Sequence, residues 1–139
     1  MPLLDVARQL GPIVDEIRPG HIDTHQQGNL NIDHRITHQA VMTAFHPVPG
    51  FSVKVTRYFE MLSSTEWYVP KCGVFQLSVS VDVSAYLGTK VSTLSAYEHE
   101  MRAVPHSRSI EHAELLARHR GHCVRLVAAE AFMLIRVII

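Results

Sequence analysis

The sequence predicts an α+β domain, a small antiparallel sheet covered on one face by helices. Two observations supply the sheet. Phe51, Val53, Val55, Arg57 and Phe59 alternate with polar neighbours, and so do Phe75, Leu77, Val79, Val81 and Val83. Alternation with period two is the mark of a strand with one buried face, and the two strands are expected to pair antiparallel. A third observation supplies the cover, because apolar residues on both sides of this region recur at helical spacing.

Taken in order, Leu3, Leu4, Val6, Ala7, Leu10, Ile13, Val14 and Ile17 outline a first helix. Gly11-Pro12 lies within it, and proline's missing donor predicts a kink or restart there. Pro19-Gly20 ends it. Residues 21–28 read as a polar surface loop, and Leu30 and Ile32 give a weak strand signal. Residues 34–45 fit a helix through Ile36, Ala40, Val41, Ala44 and Phe45, and a strand remains open. The run His46-Pro47-Val48-Pro49-Gly50 breaks the chain before the strands.

After the strands, Thr89 is a candidate N-cap for a helix carrying Val91, Leu94, Tyr97 and Met101 and closed by Pro105. Ser107 or Ser109 caps a further helix with Ile110, Ala113, Leu116 and Ala117 inward and Gly121 at its end. Residues 122–139 are apolar almost throughout, so periodicity alone does not separate helix from strand. A helix to about Met133 with an extended tail is the preferred reading. No repeat or linker divides the 139 residues, so one domain spanning 1–139 is expected.

Composition narrows the function. Thirteen basic and thirteen acidic side chains cancel, which argues against a dedicated nucleic-acid binder. Cys72 and Cys123 are isolated and suit free thiols in a reducing compartment. The N-terminus has no basic head followed by a long apolar run, and the apolar tail is interrupted by Arg136, so no signal peptide or membrane span is expected. The expected location is cytoplasmic, or virion for a viral protein. Ten histidines are the compositional oddity. They titrate near neutrality and make assembly potentially pH-sensitive.

Three histidine groups stand out. His21/His25 and His34/His38 are spaced four apart, which on a helix presents both rings to one metal, with Asp33 beside the second pair. His112, His119 and His122 gather near Glu111 and Glu114, whose simpler use is helical pairing with Arg118. The third group is Tyr97–His106, which contains His99-Glu100 after a regular strand. This stretch resembles the HExxH helix of zincin metalloproteases, in which two histidines four apart hold zinc and the glutamate activates water. Here Ala103 occupies the second ligand's position. No nucleophile elbow, Walker loop or dinucleotide fingerprint occurs.

Two functions of different class follow. The first is a structural or assembly protein working by homo-oligomeric packing or packing on neighbouring assembly proteins, such as a phage head or tail component. This reading leans away from enzyme activity and expects no cofactor, and its expected interface residues are Trp67, Tyr68, Phe132, Leu134 and Ile138. The alternative is a metal-dependent hydrolase in which His34, His38 and His99 hold zinc and Glu100 is the general base.

Overall fold

The computed structural model describes residues 3–67 and 73–139. The α+β class holds, with four α-helices and a four-stranded sheet. The elements are α1 (Leu3–Ile17), β1 (His21–Thr24), α2 (Ile32–Ala44), β2 (Val55–Phe59), β3 (Val79–Asp82), α3 (Leu87–Ser95), α4 (Ile110–His122) and β4 (Ala129–Val137). A 3-10 turn, Ser84–Tyr86, leads into α3.

The strand order is β1-β2-β4-β3. β1 runs parallel to β2, and β4 is antiparallel to both β2 and β3, so the sheet is mixed. The two alternating strands identified from the sequence therefore do not pair with each other. The last segment of the chain lies between them. Residues 129–137 form a strand, not the preferred helix, and the reason is physical. Ala131 and Phe132, of opposite parity, are both buried, so the segment is apolar on both faces there and the period of two disappears. The 21–28 segment likewise contains β1, whose four residues are too few to establish a period.

Side-chain parity places the helices. Phe59 and Phe132 are directly opposite in register, and the Arg57 guanidinium lies 4.1 Å from the Phe132 ring centroid. Phe59 and Phe132 line a cavity of about 380 Å³ with Leu116 and Arg120 of α4. Tyr58 has the opposite parity and meets His38 of α2, ring centroids 5.2 Å apart. Thus α4 and α2 lie against opposite faces of the sheet. Phe132, expected at an interface, is buried within the chain. Leu134, Ile138 and Trp67 are exposed, and Tyr68 lies outside the described residues, as does Cys72.

Two helix boundaries differ from expectation. α1 runs unbroken through Pro12. The proline forfeits one main-chain hydrogen bond, but Ala7 and Val14, on either side of it, are both buried, and α1 packs along α2. α3 stops at Ser95, and Tyr97, Glu98, His99 and Glu100 form a turn in which Glu100 N and Met101 N both donate to the Tyr97 carbonyl. His99-Glu100 is therefore not on a helix, and the zincin-like geometry does not form. The 34–45 ambiguity resolves as helix, with the Asn31 side chain accepting from Asp33 N at its start. Ser109 caps α4 as expected, accepting from His112 N at 3.1 Å. No helix among the described residues is long and apolar enough to cross a membrane.

The turn from α4 into β4 depends on one glycine. A Cβ at Gly121 would lie 2.6 Å from both Cα and N of Ala128, which is itself wholly buried. Gly121→Ala is expected to cost about 1–3 kcal/mol by overpacking. Gly88→Ala, where a Cβ meets nothing within 4 Å, should be neutral or stabilising by up to about 1 kcal/mol. Urea denaturation of the two variants checks this, and equal effects would contradict the close-approach account.

Candidate functional site

Because β1 and β2 are parallel, their C-terminal ends lie side by side. In open sheets with parallel strands, ligands favour this end, where the following loops diverge. Here β1 delivers His25 and the buried Asn29, and β2 delivers Glu60 and the turn through Ser63 and Ser64. The first turns of α2 add His34 and His38.

Three imidazoles meet at this point. The His25 and His34 rings stack, with centroids 3.9 Å apart and planes inclined by 11°. Phe59 meets His25 edge-on at 4.7 Å. His38 Nδ1 lies 3.0 Å from the His25 carbonyl oxygen. A carbonyl only accepts, so His38 carries its proton on Nδ1. His34 Nδ1 lies 3.1 Å from Asn29 Oδ1, which also accepts from Asn31 N at 3.0 Å. The same reasoning makes His34 a donor at Nδ1 and leaves Nε2 with its lone pair. Holding one ring nitrogen by a hydrogen bond in this way selects the tautomer and aims the other nitrogen. His25 Nδ1 is buried and has no hydrogen-bond partner among the described residues.

All three rings are shifted toward the neutral form. Burial, reinforced by the charges of His34 and His38, pulls His25 from its ordinary 6.5 down to about 4. Burial and then the Arg108 guanidinium lower His34 against an opposing pull from Asp33. Burial lowers His38 against the opposing hydrogen bond to the His25 carbonyl.

Arg108 ties the next layer together. Its Nε donates to Ser63 Oγ at 2.5 Å and its Nη1 to Glu100 Oε2 at 2.9 Å. Ser63 has a left-handed backbone, φ 60°, which is strained for a residue with a side chain. The carboxylate of Glu66 accepts from Ser63 N at 2.6 Å, and Thr65 Oγ1 accepts from Met61 N at 2.7 Å. On the opposite sheet face, Asp23 and Arg57 form a two-pronged pair with both contacts at 2.8 Å. Burial pushes the Asp23 carboxyl up, but the hydrogen bond and charge of Arg57, with His21, hold it below its ordinary value. Glu60 pairs with Arg120 in the same two-pronged manner.

The expected site residues fare unequally. His34 and His38 do share one face of α2, and His25 joins them. His21 turns away to Asp23, 3.0 Å distant. His99 lies in the turn after α3, and Glu100 is engaged by Arg108. Among the described residues no group of three or more His, Cys, Asp or Glu side chains is arranged to hold a metal ion. The set His34, His38 and His99 is therefore not assembled as a metal centre. His99 lies apart in the turn after α3, and the stacked rings of His25 and His34 direct their in-plane lone pairs side by side instead of toward one point. On α4, Glu114 pairs with Arg118 at 2.7 Å, the simpler of the two expectations there. Asn29 and Arg108 were missed. The polar run Asn29-Leu30-Asn31 before an apolar helix does carry a capping signal, but nothing local marks Arg108.

No protein-family model matches the chain, and no characterised protein matches it significantly by sequence. Solved structures do match. The 4-carboxy-2-hydroxymuconate hydratase GalB of Pseudomonas putida aligns with a TM-score of 0.73 at 14% identity, covering 97% of this chain and 60% of that one. A conserved protein of Thermus thermophilus aligns with a TM-score of 0.72 at 17% identity, covering 97% and 60%. The zinc-inhibited form of a teicoplanin deacetylase aligns with a TM-score of 0.69 at 20% identity, covering 96% and 52%. The chain thus spans little more than half the length of the structures it resembles. The likeness establishes a shared fold. It also corrects the expectation of a structural or virion component, because the neighbours of named activity are a hydratase and a deacetylase.

The neutral histidines have a stability consequence. A base whose folded pKa is depressed makes the unfolded state bind more protons, so stability is full above about pH 6.5 and falls as pH drops toward the folded value. For His25 that window runs from 6.5 down to about 4. His25→Phe, which keeps an aromatic ring but cannot titrate, should flatten the fall in thermal midpoint between pH 6.5 and 4. A profile as steep as that of the parent would exclude His25 as a source of the acid lability.

Proposed function

We propose that this chain carries the histidine side of a metal-dependent hydrolytic centre at the C-terminal ends of β1 and β2. The observation that carries the reading is His34, a neutral imidazole whose Nδ1 is held by Asn29 while Nε2 keeps its lone pair. That is the state a metal ligand requires. The structural neighbours support it, since a deacetylase and a hydratase both use water as a reactant.

The residues present fit one ligand position and not a whole set. His34 is the ligand and Asn29 its orienter. Zinc in such a site would supply Lewis acidity toward a substrate carbonyl and toward water. The chain's own contribution is positional. The His38 hydrogen bond fixes the His25 carbonyl and hence the exit of β1. His25 stacks on one face of the His34 ring with Phe59 against His25, and burial, with the Arg108 charge, disfavours protonation of His34. The buried Nδ1 of His25 has no partner among the described residues, and it is a group available to a water or substrate hydrogen. A cytoplasmic location, suggested by the isolated cysteines, goes with this reading.

Zinc titration followed by histidine-ring NMR tests it. The His34 ring should respond first, and His34→Asn should weaken zinc binding at least tenfold. Asn29→Ala should weaken it about 10- to 100-fold by freeing the ring. Zinc shifts confined to His99, His112 or His119, with His34 unmoved, would remove the proposal.

A further inference from the structure

Beside the histidine cluster lies a depression of about 380 Å³ whose lining includes Ser63, Ser64, Trp67, Arg102, His106 and Arg108. We propose that it binds the oxyanion group, carboxylate or phosphate, of the substrate. The inference rests on the hydrolase reading for the word substrate, whereas anion binding is a property of the metal-free chain.

Four observations carry it. First, the lining holds two guanidiniums and an imidazole and includes no carboxylate. Second, Arg102 forms no ion pair among the described residues. Its Nη1 donates to the carbonyls of His99 at 2.7 Å and Met101 at 3.1 Å, which fixes the guanidinium while Nε and Nη2 stay unengaged by any described residue. A planar guanidinium with its Nε–Nη2 edge free matches a carboxylate or phosphate in a two-pronged bond. Third, the floor is built. Ser63 and Ser64 are buried, at 6% and 2% exposure, and the strained Ser63 backbone is held by Glu66 while its hydroxyl takes Arg108 Nε. Fourth, the depression adjoins the reactive cluster, because Asn31 lines it and donates to the same Asn29 oxygen that holds His34.

Glu100 supplies the internal check. Its carboxylate occupies Arg108 Nη1 from a side chain 67% exposed to solvent, so it stands where an incoming oxyanion would compete. Removing its charge should strengthen anion binding, an effect that a merely structural Arg108–Glu100 pair would not produce.

Trp67 is the single tryptophan of the chain and its ring meets His106 at 5.5 Å, so its fluorescence reports on the depression directly. Inorganic phosphate and malonate are each titrated into the metal-free full chain, with sodium chloride at matched ionic strength as the control. The expected result is a saturable change with phosphate or malonate and not with chloride. It should weaken about tenfold or more in Arg102→Gln and tighten in Glu100→Gln, both checked for parental circular dichroism. The tighter of the two anions identifies the group as phosphate or carboxylate. No saturable change, an equal response to chloride, or unchanged affinity in both variants overturns the proposal. His34→Asn should leave anion affinity within about twofold, which separates the two readings. Zinc binding at His34 without a Trp67 response sinks the anion site alone, and a Trp67 response without zinc binding at His34 sinks the hydrolase.

Discussion

The parallel pairing of β1 with β2 is the constraint on which the rest depends. It is initiated by one carbonyl, that of Gly20, which accepts from both Lys54 N at 2.7 Å and Val55 N at 3.1 Å. His21 to Thr24 then run in register with Val55 to Tyr58. The Asp23–Arg57 pair sits across that register, and its partly exposed setting makes it a modest contributor to stability and a better contributor to alignment. Were the strands antiparallel, the segment after β1 would leave at the end opposite the segment after β2. His25, His34 and Ser63 could not then meet.

From that meeting follows an electrostatic environment with a consistent sign. Burial shifts three imidazoles toward the neutral form, and the charge of Arg108 adds to the effect at His34. A protonated ring there would be a cation desolvated beside another cation, the costliest choice available. The result is a set of ring nitrogens with lone pairs next to a depression lined by Arg102 and Arg108, of which Arg108 is paired with Glu100.

The opposite face is stabilised differently. There Glu60–Arg120 and Lys90–Glu130 connect the sheet to α4 and α3 around the phenylalanine pair. β4 sits between β2 and β3 and carries Glu130 and Phe132 on that face, so the C-terminal strand closes the core. Its closeness to α4 is set at Gly121, where backbone meets backbone. The shared fold with a hydratase and a deacetylase fits this division: a packed face on one side, and loops gathered at the strand ends that different enzymes adapt to different chemistry.

How much of this was legible in the residues depends on the range of each interaction. The α+β class, α1, the Ser109-capped α4 and the Glu114–Arg118 pair follow from local spacing and capping, because both partners lie within a turn or two of each other. The His34/His38 pairing on one helix face was visible for the same reason. The order of the sheet was not, since the central strand Ala129–Val137 loses its alternation where Ala131 and Phe132 are both buried. His99-Glu100 looked catalytic because a helix was assumed, and α3 ends four residues before His99. The identity of the site belonged to tertiary structure alone. Asn29 and His34 are five residues apart, but Arg108 and Ser63 are separated by forty-five, and no periodicity encodes a contact over that distance. The amino-acid sequence by itself determined which segments are amphipathic and where the ionisable groups are. Only the parallel registration of β1 on β2 decided which of those groups share a site.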